Sequence, residues 1–160
     1  MPVGVSAYVP LATKTLTATA TSVTFSSISQ AYRDLVLVIQ TTSGASISIS
    51  FNGDTSSTYA TVSAYGNGTA AASVTPASAG KTYLSYGGAA GTLNQITTNI
   101  FDYSATDKHK TILSRADAAS AGTEMIAGRW PSTAAITSFT MNFGGTWQIG
   151  STFTLYGVAA

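Results

Sequence analysis

His109 is the only histidine in the chain, so any histidine-dependent triad or metal site has to use it. It lies in Asp107-Lys108-His109-Lys110, the most charged stretch, which reads as a hairpin tip. Two flanking ammonium groups disfavour both an imidazolium and a bound cation. The plain reading is a solvated turn residue. No Gly-x-Ser-x-Gly elbow is present to present a serine nucleophile. There is no cysteine, which removes thiol catalysis, thiolate metal ligation and disulfides.

The acidic residues are five Asp and one Glu. Glycoside hydrolysis needs two carboxylates facing each other across a cleft, so Asp34, Asp54, Asp102 and Glu124 would have to meet in space. Simpler roles are available for two of them. Asp54 suits an Asx-type turn after Asn52-Gly53, and Asp34 pairs with Arg33 at a strand entrance. Calcium needs a cluster of oxygen ligands, and Asn52-Gly53-Asp54 offers only two side chains. Gly66-Asn67-Gly68 and Gly87-Gly88-Ala89-Ala90-Gly91 lack the dinucleotide spacing and a following helix, so both read as turns. Asn67-Gly68-Thr69 is a formal glycosylation acceptor without other support. The expectation is therefore no catalytic residue, no metal and no cofactor.

Eight Tyr and two Trp offer a surface on which a sugar could stack. Tyr83 and Tyr86 are three residues apart, so on one strand they face opposite ways. Trp130 precedes Pro131 at a strand end, where an indole could be exposed. Aromatic residues in a β sandwich more often fill the core or an interface.

These residues sit in a chain of unusual composition. Thr, Ser, Ala and Gly supply 87 of 160 positions, and charged residues only 8%, against roughly 25% in an average protein. Seven scattered cations make no phosphate-neutralising stripe, so nucleic acid is not an expected partner. The longest apolar runs are about five residues, so no membrane span is expected. No apolar segment follows a charged N-terminus, and no secretion signal is expected. Hydrophobic residues still reach 44%, enough for a real core at this size. A surface of hydroxyls and small side chains suits close-packed assembly, where desolvating charges would cost more.

The elements that must position these residues read as strands. Ile47, Ile49 and Phe51 alternate with Ser46, Ser48 and Ser50, the clearest period of two. Phe139, Met141 and Phe143 repeat it. Leu35 to Ile39 is a continuous apolar run, as in a strand buried on both faces. Residues 69–80 read as a small-residue loop, and Gly144-Gly145 as a turn into a separate strand at Trp147. No window carries a helical apolar period. About ten strands with evenly spaced turns indicate an all-β fold, an antiparallel two-sheet β sandwich of jelly-roll type. The organisation is an extended N-terminal arm over residues 1–10 and a single β-sandwich domain over 11–160.

One ordered set of motifs resembles a known family. It comprises Tyr32-Arg33-Asp34-Leu35-Val36-Leu37-Val38, Ser50-Phe51-Asn52-Gly53-Asp54-Thr55, Asp102-Tyr103-Ser104, Lys110-Thr111-Ile112-Leu113 and the closing Gly150-Ser151-Thr152-Phe153-Thr154-Leu155-Tyr156-Gly157-Val158. The set is similar to small β-rich virion structural proteins and tail-fibre modules of tailed bacteriophages, and covers the chain from about residue 12 onward. The resemblance implies a virion component without enzymatic activity, made in the host cytoplasm. The short arm before the β domain points to a capsid decoration, or cement, protein on the outer capsid surface. Its partners would be the major capsid protein of the same phage and further copies of itself, as a homotrimer. The alternative is a small tail-fibre or head-fibre module that contacts host-surface glycans.

The arm carries the expected partner contacts. Val3, Val5, Tyr8 and Val9 are apolar, the segment has no charge, and Pro2, Gly4 and Pro10 oppose a helix. Such a segment is either a frayed terminus or lies along a neighbouring subunit, another copy or the capsid shell, adding extended backbone to a sheet edge.

Overall fold

The computed structural model describes residues 7–56, 59–75, 80–118 and 122–159. The regular elements among them are all strands. In order they are β1 (Tyr8–Thr15), β2 (Ala20–Phe25), β3 (Asp34–Thr41), β4 (Ile47–Phe51), β5 (Ala60–Gly66) and β6 (Ala71–Val74). They continue as β7 (Thr82–Ser85), β8 (Asn94–Phe101), β9 (Lys110–Ala118), β10 (Gly122–Trp130), β11 (Phe139–Trp147) and β12 (Thr152–Val158).

The strands form an eight-stranded sheet, β1-β12-β3-β8-β9-β10-β5-β6, and a four-stranded sheet, β2-β11-β4-β7. The pairings are antiparallel. Without β5, β6, β9 and β10, the order is β1-β12-β3-β8 facing β2-β11-β4-β7. That is the jelly roll the strand pattern predicts, two four-stranded sheets with the chain passing repeatedly between them. Two inserted pairs, β5–β6 and β9–β10, then widen one sheet to twice the width of the other.

Alternation builds the core. Ile47, Ile49 and Phe51 of β4 face Leu35, Leu37 and Ile39 of β3 across the sandwich, all at most 2% exposed. Phe139, Met141, Trp147, Phe153 and Leu155 join the same cluster. Each such side chain contributes about 1.5–3 kcal/mol on burial. The apolar run at Leu35 is explained by β3 being central, between β12 and β8. Its outward residues are not equally covered, for Val36 is buried and Val38 only half-buried.

Three local expectations change. Residues 71–74 form strand β6 rather than loop, because their backbone completes the edge of β5. Gly144-Gly145 does not turn the chain; β11 runs on to Trp147 through a bulge between Asn142 and Trp147. Tyr8, Val9 and Pro10, placed in the arm by their sequence, pair with Val158, Gly157 and Tyr156 as the start of β1.

Candidate functional site

A cleft of about 290 Å³ opens at one end of the sandwich, where the widened sheet projects beyond the smaller one. One wall is a single ladder row across four strands. Ile96 pairs with Ala116, Ala116 with Glu124, and Glu124 with Tyr65. The other wall is Ser85, Tyr86, Gly87 and Gly88 at the end of β7. Val74 of β6 and Asn94 of β8 also line it.

Glu124 is buried at the bottom of this cleft. Its carboxylate accepts Ser63 Oγ at 2.6 Å, Tyr86 N at 2.8 Å and Ser85 Oγ at 3.3 Å. Three donors from two strands and one loop therefore fix it, and the carboxylate joins the two sheets. Asn94 is equally anchored. Its Nδ2 faces the carbonyls of Thr92, Ser43, Ala89 and Thr41, at 3.0–3.4 Å, while its buried Oδ1 has no hydrogen-bond partner. Tyr65 and Tyr86 stand exposed at the mouth. Burial, then the neighbouring Tyr83 and Glu124, push the Tyr86 hydroxyl above its ordinary pKa.

The sequence alone did not assemble this cleft. Glu124 is recognisable in hindsight by its parity, because it shares the inward face of β10 with Ile126, Gly128 and Trp130. Tyr83 and Tyr86 do not face opposite ways. Strand β7 ends at Ser85 beside a register shift, and the two rings lie 4.7 Å apart.

The turn motif after β4 is structural. Asn52 Oδ1 accepts Thr137 N, Ser138 N and Thr137 Oγ1, and its Nδ2 donates to Ala135 O at 2.8 Å. Asp54 Oδ1 caps Ser56 as an Asx turn, and Asp54 Oδ2 accepts Trp130 Nε1. Trp130 is therefore not exposed beside Pro131. Its inward parity buries it against Phe51, ring centroids 5.6 Å apart. Among the described residues, no three His, Cys, Asp or Glu side chains are grouped to hold a metal.

A second knot gathers the other motifs. Asp34 accepts Arg33 Nε at 2.8 Å through one oxygen and Asp102 N at 2.8 Å through the other. Tyr103 OH donates to Ser29 O. Gly157 lies under the Tyr32 ring, as its lack of a side chain permits. His109 is exposed, but Lys110 is not at a solvated tip. It opens β9 on the inward face, fully buried, with Nζ donating to Lys108 O and Thr133 O. Burial holds its pKa below the ordinary lysine value, against the pull of Asp107 and Asp102.

The outer face of the eight-stranded sheet carries few charges. One ladder row runs Pro10, Tyr156, Val36, Asn99, Leu113, Ala127 and Val62. The next contains Val38, Thr97, Arg115, Met125 and Ala64. Val62, Leu113 and Met125 are exposed there at 53%, 38% and 57%. Of the four expected partner-binding residues, Tyr8 is 54% exposed at the edge of this sheet and Val9 half-buried beside it. Val3 and Val5 lie outside the described residues.

No family model matches the chain, and no curated protein matches it. Among solved structures, the exo-inulinase of Aspergillus awamori is similar at a TM-score of 0.45 and 15% identity. The alignment covers 94% of this chain and 29% of that one, so the chain spans less than a third of that protein's length.

Proposed function

We propose that this chain is a non-enzymatic structural protein of a bacteriophage particle, a capsid decoration subunit that bridges neighbouring major-capsid subunits. The observation that carries this reading is the outer face of the eight-stranded sheet. It is broad and set with exposed Val62, Leu113 and Met125, with Arg115, Asp117 and Arg129 as its exposed charges. A face of this kind desolvates cheaply, and many copies arranged by symmetry multiply a weak contact into firm attachment. The adjoining β1 edge, with exposed Tyr8, extends the same surface toward the N-terminal arm. The motifs that resemble virion proteins are engaged in holding turns and sheets together, which agrees with a structural role. Self-association as a trimer belongs to the same reading.

The test places charge on that face. The double variant Leu113→Glu, Met125→Glu should keep its melting temperature, because both residues are exposed, and should lose occupancy on particles stripped of the native protein. Full occupancy by the charged variant would overturn the reading.

A further inference from the structure

We infer that the cleft between β10, β5 and the end of β7 binds a neutral saccharide, with Glu124 accepting a sugar hydroxyl and Tyr65 and Tyr86 holding the apolar face of the ring. This inference does not depend on where in a particle the chain sits.

The size and lining suit a small ligand. A cleft of about 290 Å³ is at the lower end of the range for such sites, which combine apolar walls with a few placed polar groups. Here the apolar part is Tyr65, Tyr86 and Val74, and the polar part is led by Glu124 and Ser85, with Asp117 and Thr123 also on the lining. An ionised carboxylate has roughly four acceptor positions. Ser63, Ser85 and Tyr86 N fill three on Glu124. The Ser85 hydroxyl, which lines the cleft, spends its proton on the carboxylate and so offers a lone pair toward the ligand. Asn94 Oδ1 is also without a partner, but it is sealed behind Gly88 and does not face the cleft.

The acceptor left on Glu124 and the Ser85 oxygen favour a ligand that donates. An anion would meet the Glu124 carboxylate. A purely apolar ligand would leave the acceptors dry, which is costly. A metal cation would need about six to eight oxygen ligands, and the one open acceptor position on Glu124 with the Ser85 oxygen falls well short of that. A sugar supplies hydroxyl donors at its rim and a C–H face for the tyrosine rings, with no net charge.

The experiment applies the intact chain to an array of hexoses, deoxyhexoses, N-acetylhexosamines and their short oligomers, and titrates the strongest binder calorimetrically. Choline chloride serves as the cationic control. The expected result is binding of at least one saccharide, weakened at least about tenfold in both Tyr65→Ala and Tyr86→Ala. Melting should be unchanged in Tyr65→Ala, whose side chain is exposed, and slightly lowered in Tyr86→Ala, which loses its ring contact with Tyr83. Absence of any bound saccharide, preference for choline, or full affinity in both tyrosine variants would overturn the inference. Glu124→Gln adds a second readout, since it retains an acceptor oxygen and should shift which sugars are preferred.

Discussion

Trp130 Nε1 donates a 2.8 Å hydrogen bond to Asp54 Oδ2, tying the end of β10 to the turn after β4. The indole is buried and packs on Phe51, so removing Asp54 takes away the acceptor its N–H uses. Asp54→Ala should therefore destabilise the fold by about 1–3 kcal/mol. The loss should shrink when Trp130→Phe is already present, because the donor is then gone. Chemical denaturation of the four proteins in this cycle checks the coupling, and simple additivity would show that the bond contributes little.

Gly157 and Tyr32 make a second testable pair. A Cβ built on Gly157 would lie 2.4 Å from Tyr32 Cγ, well inside contact distance. Gly157→Ala should force the ring aside at a cost of about 1–3 kcal/mol. Adding Tyr32→Ala removes the clash, so the double variant should lose less than the two single losses together. Melting temperatures of the set decide it.

Alkaline pH should weaken the fold. Burial, with Asp54 adding to it, pushes the Tyr59 hydroxyl from 10.0 up to about 12, the Phe51 hydrogen bond opposing. Burial also raises Tyr103. A raised pKa means the folded state holds the proton more tightly, so this stabilisation is complete below pH 10.0 and lost as pH rises through about 12. Lys110 has the opposite sign, because its lowered pKa is a penalty that fades as pH climbs toward 10.5. The tyrosines outnumber it, and melting temperature should fall above pH 10. Tyr59→Phe should start lower, having lost its bonds to Phe51 N and Asp54 O, and fall less steeply. Parallel slopes for the two proteins would contradict this account.

The N-terminal arm can be separated from the fold. Strand β1 starts at Tyr8, paired with Val158. Deleting residues 1–6 therefore leaves every described β1–β12 pair, and melting should hardly change. Occupancy on stripped particles should drop, if the arm with Val3 and Val5 grips a neighbour as expected. Deleting through Val9 should also lower the melting temperature, since it removes two ladder pairs. An arm-deleted protein with full occupancy would reduce the segment to a frayed end.

What was legible in the sequence was local. The period of two in Ile47, Ile49 and Phe51 located β4 and its inward face. Asn52-Gly53-Asp54 announced its turn, and Asn52 and Gly53 do take positive φ values of 53° and 69°. What was not legible depends on distant pairing. Trp130 looked exposed because Pro131 follows it, yet its bond partner lies 76 residues away. Lys110 looked like a tip residue because its neighbours are charged, while parity along β9 turns it inward. The cleft joins Glu124 to Ser63 and Ser85, 61 and 39 residues distant. Only the β5–β6 and β9–β10 insertions bring those strands together.

The most direct test of the proposed role is the copy number of this chain per purified particle, measured by quantitative mass spectrometry against the major capsid protein. A decoration subunit repeats with the capsid lattice, so the account predicts copies on the order of hundreds per particle. A few dozen copies or fewer would place the chain in a fibre, and its absence from particles would contradict the account outright.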